Sequence, residues 1–398
     1  MSNFKLELVS SHKQENEWLD FPKKLYKGNP YWVCPFDNDI KDVFNPAKNQ
    51  LFNNGQAVRW VVRNEKNEIV GRIAAFYNKE QAAIEEQPTG GCGFFEAIDN
   101  QEVANMLFDA AKEWLIGQGM EAMDGPINFG ARDDWWGVLV KGFESQPLYK
   151  NPYNFPYYQQ LFENYGFQVY FNQHTYSRKL EVGQLSPAVY SQVKRLSENP
   201  AYRFEHITPK DYPYLAERFR TIYNKAWSKF SGVKPFSKED TDKIFNSLRP
   251  IIDPHLIYFA YYNDQPIGFY IMIPDLNRII GRFNGKFGLI NKLRFLLMMK
   301  MHKADRIFGL IFGVTPEFQG RGIESGIIHA FEQDVLKGKD RKYKSLELAW
   351  VGDFNPVMMR MVETYVCAER FKMHTTYRYL FDRTKEFKRC PRLSIKKD

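Results

Sequence analysis

Two tandem copies of one α/β (α+β) fold, each a mixed, mostly antiparallel sheet flanked by helices, are what this sequence predicts. Three observations carry the prediction. At 398 residues the chain exceeds what one hydrophobic core ordinarily organises, and 44% apolar residues are enough to fill two. Both halves run through the same order of strand, helices, hairpin, long strand, helix, short strand and Asn-started helix, which is a repeat at domain scale. Finally, Arg306 to Phe331 (RIFGLIFGVTPEFQGRGIESGIIHAF) is an apolar strand, a glycine loop and a periodic helix in immediate succession.

Phe4 to Val9 alternates as a strand does, and Glu15 to Lys27 continues as a helix. An irregular aromatic and proline segment, Gly28 to Pro35, follows. Trp60 to Arg63 and Ile69 to Ala75 are β-rich runs separated by Asn64-Glu65-Lys66-Asn67, which predicts a hairpin. Cys92 to Glu96 is the next strand. Glu102 to Gly117 is an amphipathic helix with Val103, Leu107, Ala110, Ala111 and Trp114 on one face. The loop between them, Ala97 to Glu102, has no glycine and carries two carboxylates, Asp99 and Glu102. Met120 to Met123 is a short strand, followed by a loop with Arg132, Asp133, Asp134, Trp135 and Trp136. Tyr149 to Tyr158 opens a helix that ends at Tyr165-Gly166-Phe167. A strand from Thr175 to Leu180 closes the first domain, 1–180, and 181–199 reads as a partly helical connector.

Residues 200–383 repeat the order. Tyr202 to Ile207 is a strand, Tyr212 to Trp227 and Lys238 to Leu248 are helical, and Leu256 to Tyr262 with Pro266 to Ile273 make a second hairpin. An insertion, Asn284 to Lys303, sets Ile290, Leu293, Leu297 and Met301 on one helical face with Lys292, Arg294, Lys300 and Lys303 around it. A helix docked on its own domain is the expectation, and weak membrane contact by 289–301 is the alternative. After the strand ending at Val314, the loop Gln319-Gly320-Arg321-Gly322 feeds a helix marked by Ile323, Ile327, Phe331 and Val335. Such a junction gathers unpaired N–H groups at the positive end of a helix dipole and suits a phosphate. Ser345 to Val351 is a short strand with Glu347 on the face opposite Leu346 and Leu348. Asn355 is placed to cap the next helix, which bears Met358, Met361, Val362 and Tyr365. Lys372 to Phe381 is the last strand, and 384–398 is a basic tail.

Val314-x-Pro316-x-x-Gln319-Gly320-Arg321-Gly322-Ile323 resembles the diphosphate loop of the GCN5-related N-acetyltransferase (GNAT) superfamily, which reads Q/R-x-x-G-x-G/A. Gln319 and Gly322 match, and the last position here is Glu324. The strand, Asn and helix after the loop, and the hydrophobic-Gly pairs Val70-Gly71 and Ile267-Gly268, extend the resemblance to both halves. It implies two tandem acyl-CoA N-acyltransferase (GNAT-like) folds, the first degenerate and without the loop. It implies acetyl-CoA, or another acyl-CoA, bound in the second half only. Phe312, Gly313 and Val314 would lie along the pantetheine arm, with Gln319, Gly320, Arg321, Gly322, Ile323 and Asn355 completing the cofactor site. The implied chemistry is attack of an amine on the thioester, so the protein must position the amine, accept its proton and protonate the leaving thiolate. Glu347 is the candidate base and Tyr365 the candidate acid. Val362 and, in the first half, Phe162 stand near the position of the family's catalytic tyrosine. Asp133, Trp135, Trp136, Tyr157 and Trp350 are the candidate acceptor contacts, aromatic walls with a carboxylate to hold an amine.

Composition bounds the function further. The balance of 55 Lys+Arg against 47 Asp+Glu gives +8, suited to an anionic cofactor and too moderate to require a nucleic acid. Four scattered cysteines form no metal motif or disulfide framework, so a reducing, cytoplasmic setting is expected. No apolar run approaches the roughly 20 residues that span a bilayer. Two functions of different class stay open. One is an N-acyltransferase acting on a small-molecule or peptide amine. The other is a non-catalytic acyl-CoA or small-ligand binding protein that retains the fold.

Overall fold

The computed structural model describes residues 3–181, 183–227, 235–301, 303–336 and 342–393. Strand β1 (Phe4–Leu8) leads into α1 (His12–Leu25), whose N-terminus Ser11 and Gln14 close as a capping box. Helix α2 (Asp37–Val43) follows the aromatic and proline segment. β2 (Gly55–Asn64) and β3 (Ile69–Asn78) form the expected hairpin, with Asn67 at φ 60° in its turn. α3 (Lys79–Ala83) and β4 (Thr89–Ala97) come next. Asn100 then caps α4 (Gln101–Gly117), which buries Val103, Leu107, Ala111 and Leu115. β5 (Ala122–Gly125) and β6 (Val138–Lys141) flank the tryptophan loop. α5 (Tyr157–Tyr165) stops at Gly166, which takes the left-handed φ of 106° that favours glycine, and β7 (Gln168–Lys179) follows.

The second half runs α6 (Pro187–Ser197), β8 (Tyr202–His206), α7 (Leu215–Trp227) and α8 (Lys238–Leu248), then the hairpin of β9 (Ile257–Tyr262) and β10 (Gln265–Pro274). α9 (Asn277–Ile280) precedes the insertion, whose helix is α10 (Leu289–Lys300). β11 (Arg306–Val314), α11 (Ile323–Phe331), β12 (Ser345–Leu348), the two-residue β13 (Val351–Gly352), α12 (Pro356–Met361) and β14 (Glu369–Leu380) complete the chain.

The chain divides into two compact units, and the division is not a simple cut near residue 180. The first comprises Met1–His174, Ile280–Arg294 and Lys372–Pro391; the second comprises Thr175–Ile279, Phe295–Phe371 and Arg392–Asp398. In the first unit the strand order is β1-β2-β3-β4-β5-β14. Among the described residues of this order, only β4 and β5 are parallel, and β14 runs antiparallel to β5 from Tyr377↔Gly125 to Leu380↔Ala122. Its core joins Ile73, Leu107, Phe108, Met123, Phe162 and Tyr377, all essentially closed to solvent. Phe108 touches Phe95, Phe162 and Phe167 at ring separations of 4.7, 4.8 and 5.1 Å, and each buried ring of this kind stabilises by about 1.5–3 kcal/mol.

In the second unit the order is β7-β12-β11-β10-β9-β8, again with one parallel pair among the described residues, β11 and β12. Alternation along β9 supplies both faces. Tyr258 and Ala260 pack with Ile327, Ile328 and Phe331 of α11, while Ile257, Phe259 and Tyr261 pack with Phe219 of α7 and Phe245 of α8.

Three expectations need correction here. The strand expected to close the first domain, Thr175 to Leu180, instead pairs with β12 in the second unit, Ser345↔Lys179 to Glu347↔Ser177. The strand expected to close the second domain serves the first unit. The expected connector 181–199 contains α6, which packs on α11 and bonds Ser325 through Gln192, so it is part of the second unit. Of the basic tail, Lys385 and Lys388 pair with Glu121 and Glu86, and 394–398 lie outside the described residues.

Candidate active site

β11 and β12 pair for only four residues, from Arg306↔Ser345 to Gly309↔Leu348, with the Ala349 amide donating to the Gly309 carbonyl at 2.8 Å as a last rung. Beyond that rung β11 continues alone on this side, and Leu310, Ile311 and Phe312 become half-exposed. Leu310 is also a bulge: β10 steps from Ile271↔Ile311 to Met272↔Gly309. The result is a wedge between parallel strands, with main-chain groups along one edge open to an extended ligand.

The wedge leads to the glycine loop. Gln319 Nε2 donates to the Val314 carbonyl at 3.0 Å, fastening the loop to the strand end. Gly320 and Gly322 sit at φ 71° and 86°, and nothing lies within 4 Å of where a Gly320 side chain would start. Arg195 Nη2 donates to the Arg321 carbonyl at 3.1 Å, and the exposed Arg321 guanidinium lies over the Phe318 ring. The first intrahelical bond, from the Gly326 amide to the Gly322 carbonyl at 3.1 Å, leaves the amides of Ile323, Glu324 and Ser325 ahead of it at the positive end of α11. Glu324 stands in the same first turn, half-buried, and burial raises its carboxyl above the ordinary value. The residues fit a diphosphate, and the Glu324 carboxylate opposes it. Asn355 caps α12, accepting from the Met358 amide at 3.2 Å.

Glu347, the candidate base, is 1% exposed. Its carboxylate accepts from Arg306 Nη1 at 2.8 Å, while Arg306 Nε and Nη2 hold Asp275 at 2.9 and 2.7 Å. This is a buried acid–base–acid triad at the root of the wedge, not a carboxylate facing solvent. Tyr365 is half-buried against the α11 face of the core, and Trp350 is half-buried beyond β12.

In the first unit the corresponding strand end is covered by its own side chains. Tyr157 Oη donates to the Ala97 carbonyl at 2.7 Å, and the Ala97 amide donates to Tyr158 Oη at 3.1 Å. Tyr158 and Tyr26 both donate to Glu96, at 2.7 and 2.6 Å. Burial raises the Glu96 carboxyl and lowers Arg72, 3.7 Å away, to about 10. Asp133, Trp135 and Trp136 share one loop but have different surroundings, and Tyr157 is engaged elsewhere. Asp133 is exposed. Trp135, at φ 47°, lies 5.8 Å from Phe94, its amide donating to the Lys150 carbonyl at 2.7 Å. Trp136 packs on the Phe76, Ile127 and Phe129 cluster.

Tyr270 was missed at the level of sequence. It sits on β10 inside an unbroken apolar run, GFYIMI, where nothing in the pattern separates a working hydroxyl from a core ring. Its oxygen lies 3.0 Å from where a Gly309 side chain would begin, at the vertex of the wedge, and is buried with no hydrogen-bond partner among the described residues. Burial raises its hydroxyl well above the ordinary range, with the Arg178 guanidinium opposing the shift. Arg178 is itself fixed through Nη1 to the Val366 carbonyl at 2.7 Å.

A doubled sheet order, one diverging parallel pair and a glycine loop at a helix start together make this a GNAT fold in its tandem, two-domain form. A tandem GNAT protein from the clavulanic acid biosynthesis pathway superposes with a TM-score of 0.51 at 11% identity, covering 95% of this chain and 98% of that one. A GCN5-related glucosamine N-acetyltransferase region of a fungal multi-domain GH3 β-N-acetylglucosaminidase gives 0.52 at 13% identity over 95% of this chain, which spans only 38% of that longer protein. In sequence, the chain is similar to Protein YghO of Escherichia coli (strain K12), 25% identical over 380 residues, 93% of this chain and 94% of that one. It is also similar to a bacterial ceramide synthase of Caulobacter vibrioides (strain NA1000 / CB15N), 26% identical over 382 residues, 93% and 95% of the two chains. No family model matches the chain.

Proposed function

We propose that this chain is an acyl-CoA-dependent N-acyltransferase whose chemistry takes place in the second unit. The observation that carries the reading is the separation of β11 from β12 above Gly309 and Leu348, leading to the Gln319–Gly322 loop at the start of α11. Phe312, Gly313 and Val314 would hold the pantetheine arm. The Gly320 to Ser325 amides and Arg321 would hold the diphosphate. Acyl-CoA, when bound, supplies the acyl group as a thioester activated toward an amine.

Of the hydroxyls, Tyr270 is the one we propose gives its proton to the departing thiolate. Tyr270 then regains one from the nitrogen of the attacking amine, so that the amide and the free thiol leave with the protons balanced. It stays protonated through the neutral range and points at the vertex without another partner among the described residues. Tyr365, packed in the core, is the weaker candidate. Glu347 is assigned to holding the root of the wedge, because Arg306 already engages its carboxylate. Asp133, Trp135 and Trp136 remain proposed amine-recognition residues of the first unit.

The ceramide synthase relative directs the choice of substrates, since a ceramide is the amide of a long-chain amino alcohol. Fatty acyl-CoA and long-chain amino alcohols therefore join acetyl-CoA and short amines in the assay. The purified full chain should release free thiol from an acyl-CoA only when a matching amine is present, with the amide found by mass spectrometry. Tight acyl-CoA binding with no amine-dependent thiol release across both sets would support the other reading, a ligand-binding protein, which the engaged Glu347 and the Val362 at the usual tyrosine position favour.

A further inference from the structure

The insertion helix α10 does not dock its apolar face. Leu289, Ile290 and Leu293 are 81%, 75% and 69% exposed, and Leu297 and Met301 continue the same row at 58% and 54%. At 100° per residue these five side chains share one arc, and Phe295, the buried residue of the helix, lies on the opposite side. Single exposed leucines are ordinary on a protein surface, but a contiguous row of large aliphatic residues is not. The segment leading into α10 is fixed to the first unit: the Asp37 amide donates to the Gly285 carbonyl at 2.8 Å, and Phe36 packs on Phe287 at 4.3 Å. The row is thus presented on an anchored segment.

Charge identifies the occupant. From Leu276 to Ala304 the chain has Arg278, Arg282, Lys286, Lys292, Arg294, Lys300 and Lys303, and no Asp or Glu. Lys292 and Arg294 are exposed on the two flanks of the apolar arc, lying over the Phe287 and Phe283 rings, and side chains of this length can extend from such flanks to a charged plane. A second copy of this chain would bring the same basic segment against itself across a two-fold axis and be repelled. An anionic bilayer surface instead satisfies both features, taking aliphatic side chains below the headgroups and cations among the phosphates. Spanning is not involved, since among the described residues no helix is long and apolar enough to cross a membrane. We propose that α10 is an interfacial helix that docks the protein on an anionic lipid surface, a role that does not depend on the acyl-transfer reading.

The test is flotation of the full chain with vesicles of phosphatidylcholine alone and of phosphatidylcholine with about a quarter phosphatidylglycerol. The wild type should float with the anionic vesicles and far less with the neutral ones, and added salt should reduce the bound fraction. A Leu293→Ser/Leu297→Ser variant and a Lys292→Glu/Arg294→Glu variant should each lower partition by about tenfold or more. All four side chains are exposed, so the melting curves should match wild type; should one variant fail to fold, the other decides. The proposal falls if wild type stays with the unbound protein, or if both folded variants float as well as wild type. It falls equally if light scattering shows a dimer that Leu293→Ser/Leu297→Ser dissolves, which would make a second copy the occupant.

Discussion

The Arg306 guanidinium and the Glu347 carboxylate lie 2.8 Å apart inside the second unit, and Asp275 takes the other edge of the same guanidinium. Removing Arg306 takes the cation away from two buried carboxylates, so Arg306→Met should cost about 3–5 kcal/mol. Glu347→Gln keeps a hydrogen-bond acceptor and should cost less. Urea melts measure both. If Glu347→Gln melts as wild type does but loses orders of magnitude in thiol release, Glu347 is the base after all.

Tyr270→Phe removes a hydroxyl that bonds nothing among the described residues, so stability should change by less than about 1 kcal/mol. Acyl transfer should nevertheless fall, roughly 100-fold if the hydroxyl serves the leaving thiolate. Tyr365→Phe should be close to neutral in turnover. Equal activity of wild type and Tyr270→Phe would remove Tyr270 from the mechanism.

Glu324 places a carboxylate in the turn that we assign to the diphosphate. Glu324→Gln should tighten CoA binding by roughly threefold to tenfold at low salt, while pantetheine, which has no diphosphate, binds unchanged. Calorimetry on both ligands separates the cases. Tightening of both, or of neither, would move the diphosphate away from α11. Changes at Asp99 and Glu102 in the first unit should leave CoA affinity as it is.

His374 on β14 is buried and its Nε2 donates to the Pro152 carbonyl at 3.2 Å, and burial lowers its pKa from 6.5 to about 4. Between those values the unfolded chain binds the proton that the folded chain refuses. Stability therefore rises with pH across the window, is fully present above 6.5, and is lost as pH falls toward 4. The contribution is at most about 3 kcal/mol. His374→Gln should flatten the difference between melts at the two ends of the window; an unchanged slope would show that other groups set it.

Much of this molecule was legible as a string. Hairpins announce themselves through a polar turn between β-rich runs, as at Asn64 to Asn67. The glycine loop announces itself because only glycine takes the backbone angles of positions 320 and 322 without strain. The capping of α12 by Asn355 was equally local. What periodicity could not give was the partner of each element. Thr175 to Leu180 and Lys372 to Phe381 read as strands, and they are, but strand pairing is decided by distant chain, so each was credited to the wrong unit.

The sequence alone therefore determined most of the elements, their doubled order and the glycine loop at the start of α11, because each depends on neighbours within a few residues. The tertiary structure alone decided that Glu347 faces Arg306, that Tyr270 reaches the vertex beside Gly309, and that α10 turns its leucines to solvent. An amphipathic pattern shows that a helix has an apolar face but not what covers it. Burial and ion pairing are properties of surfaces brought together from far along the chain, and no local spacing encodes them.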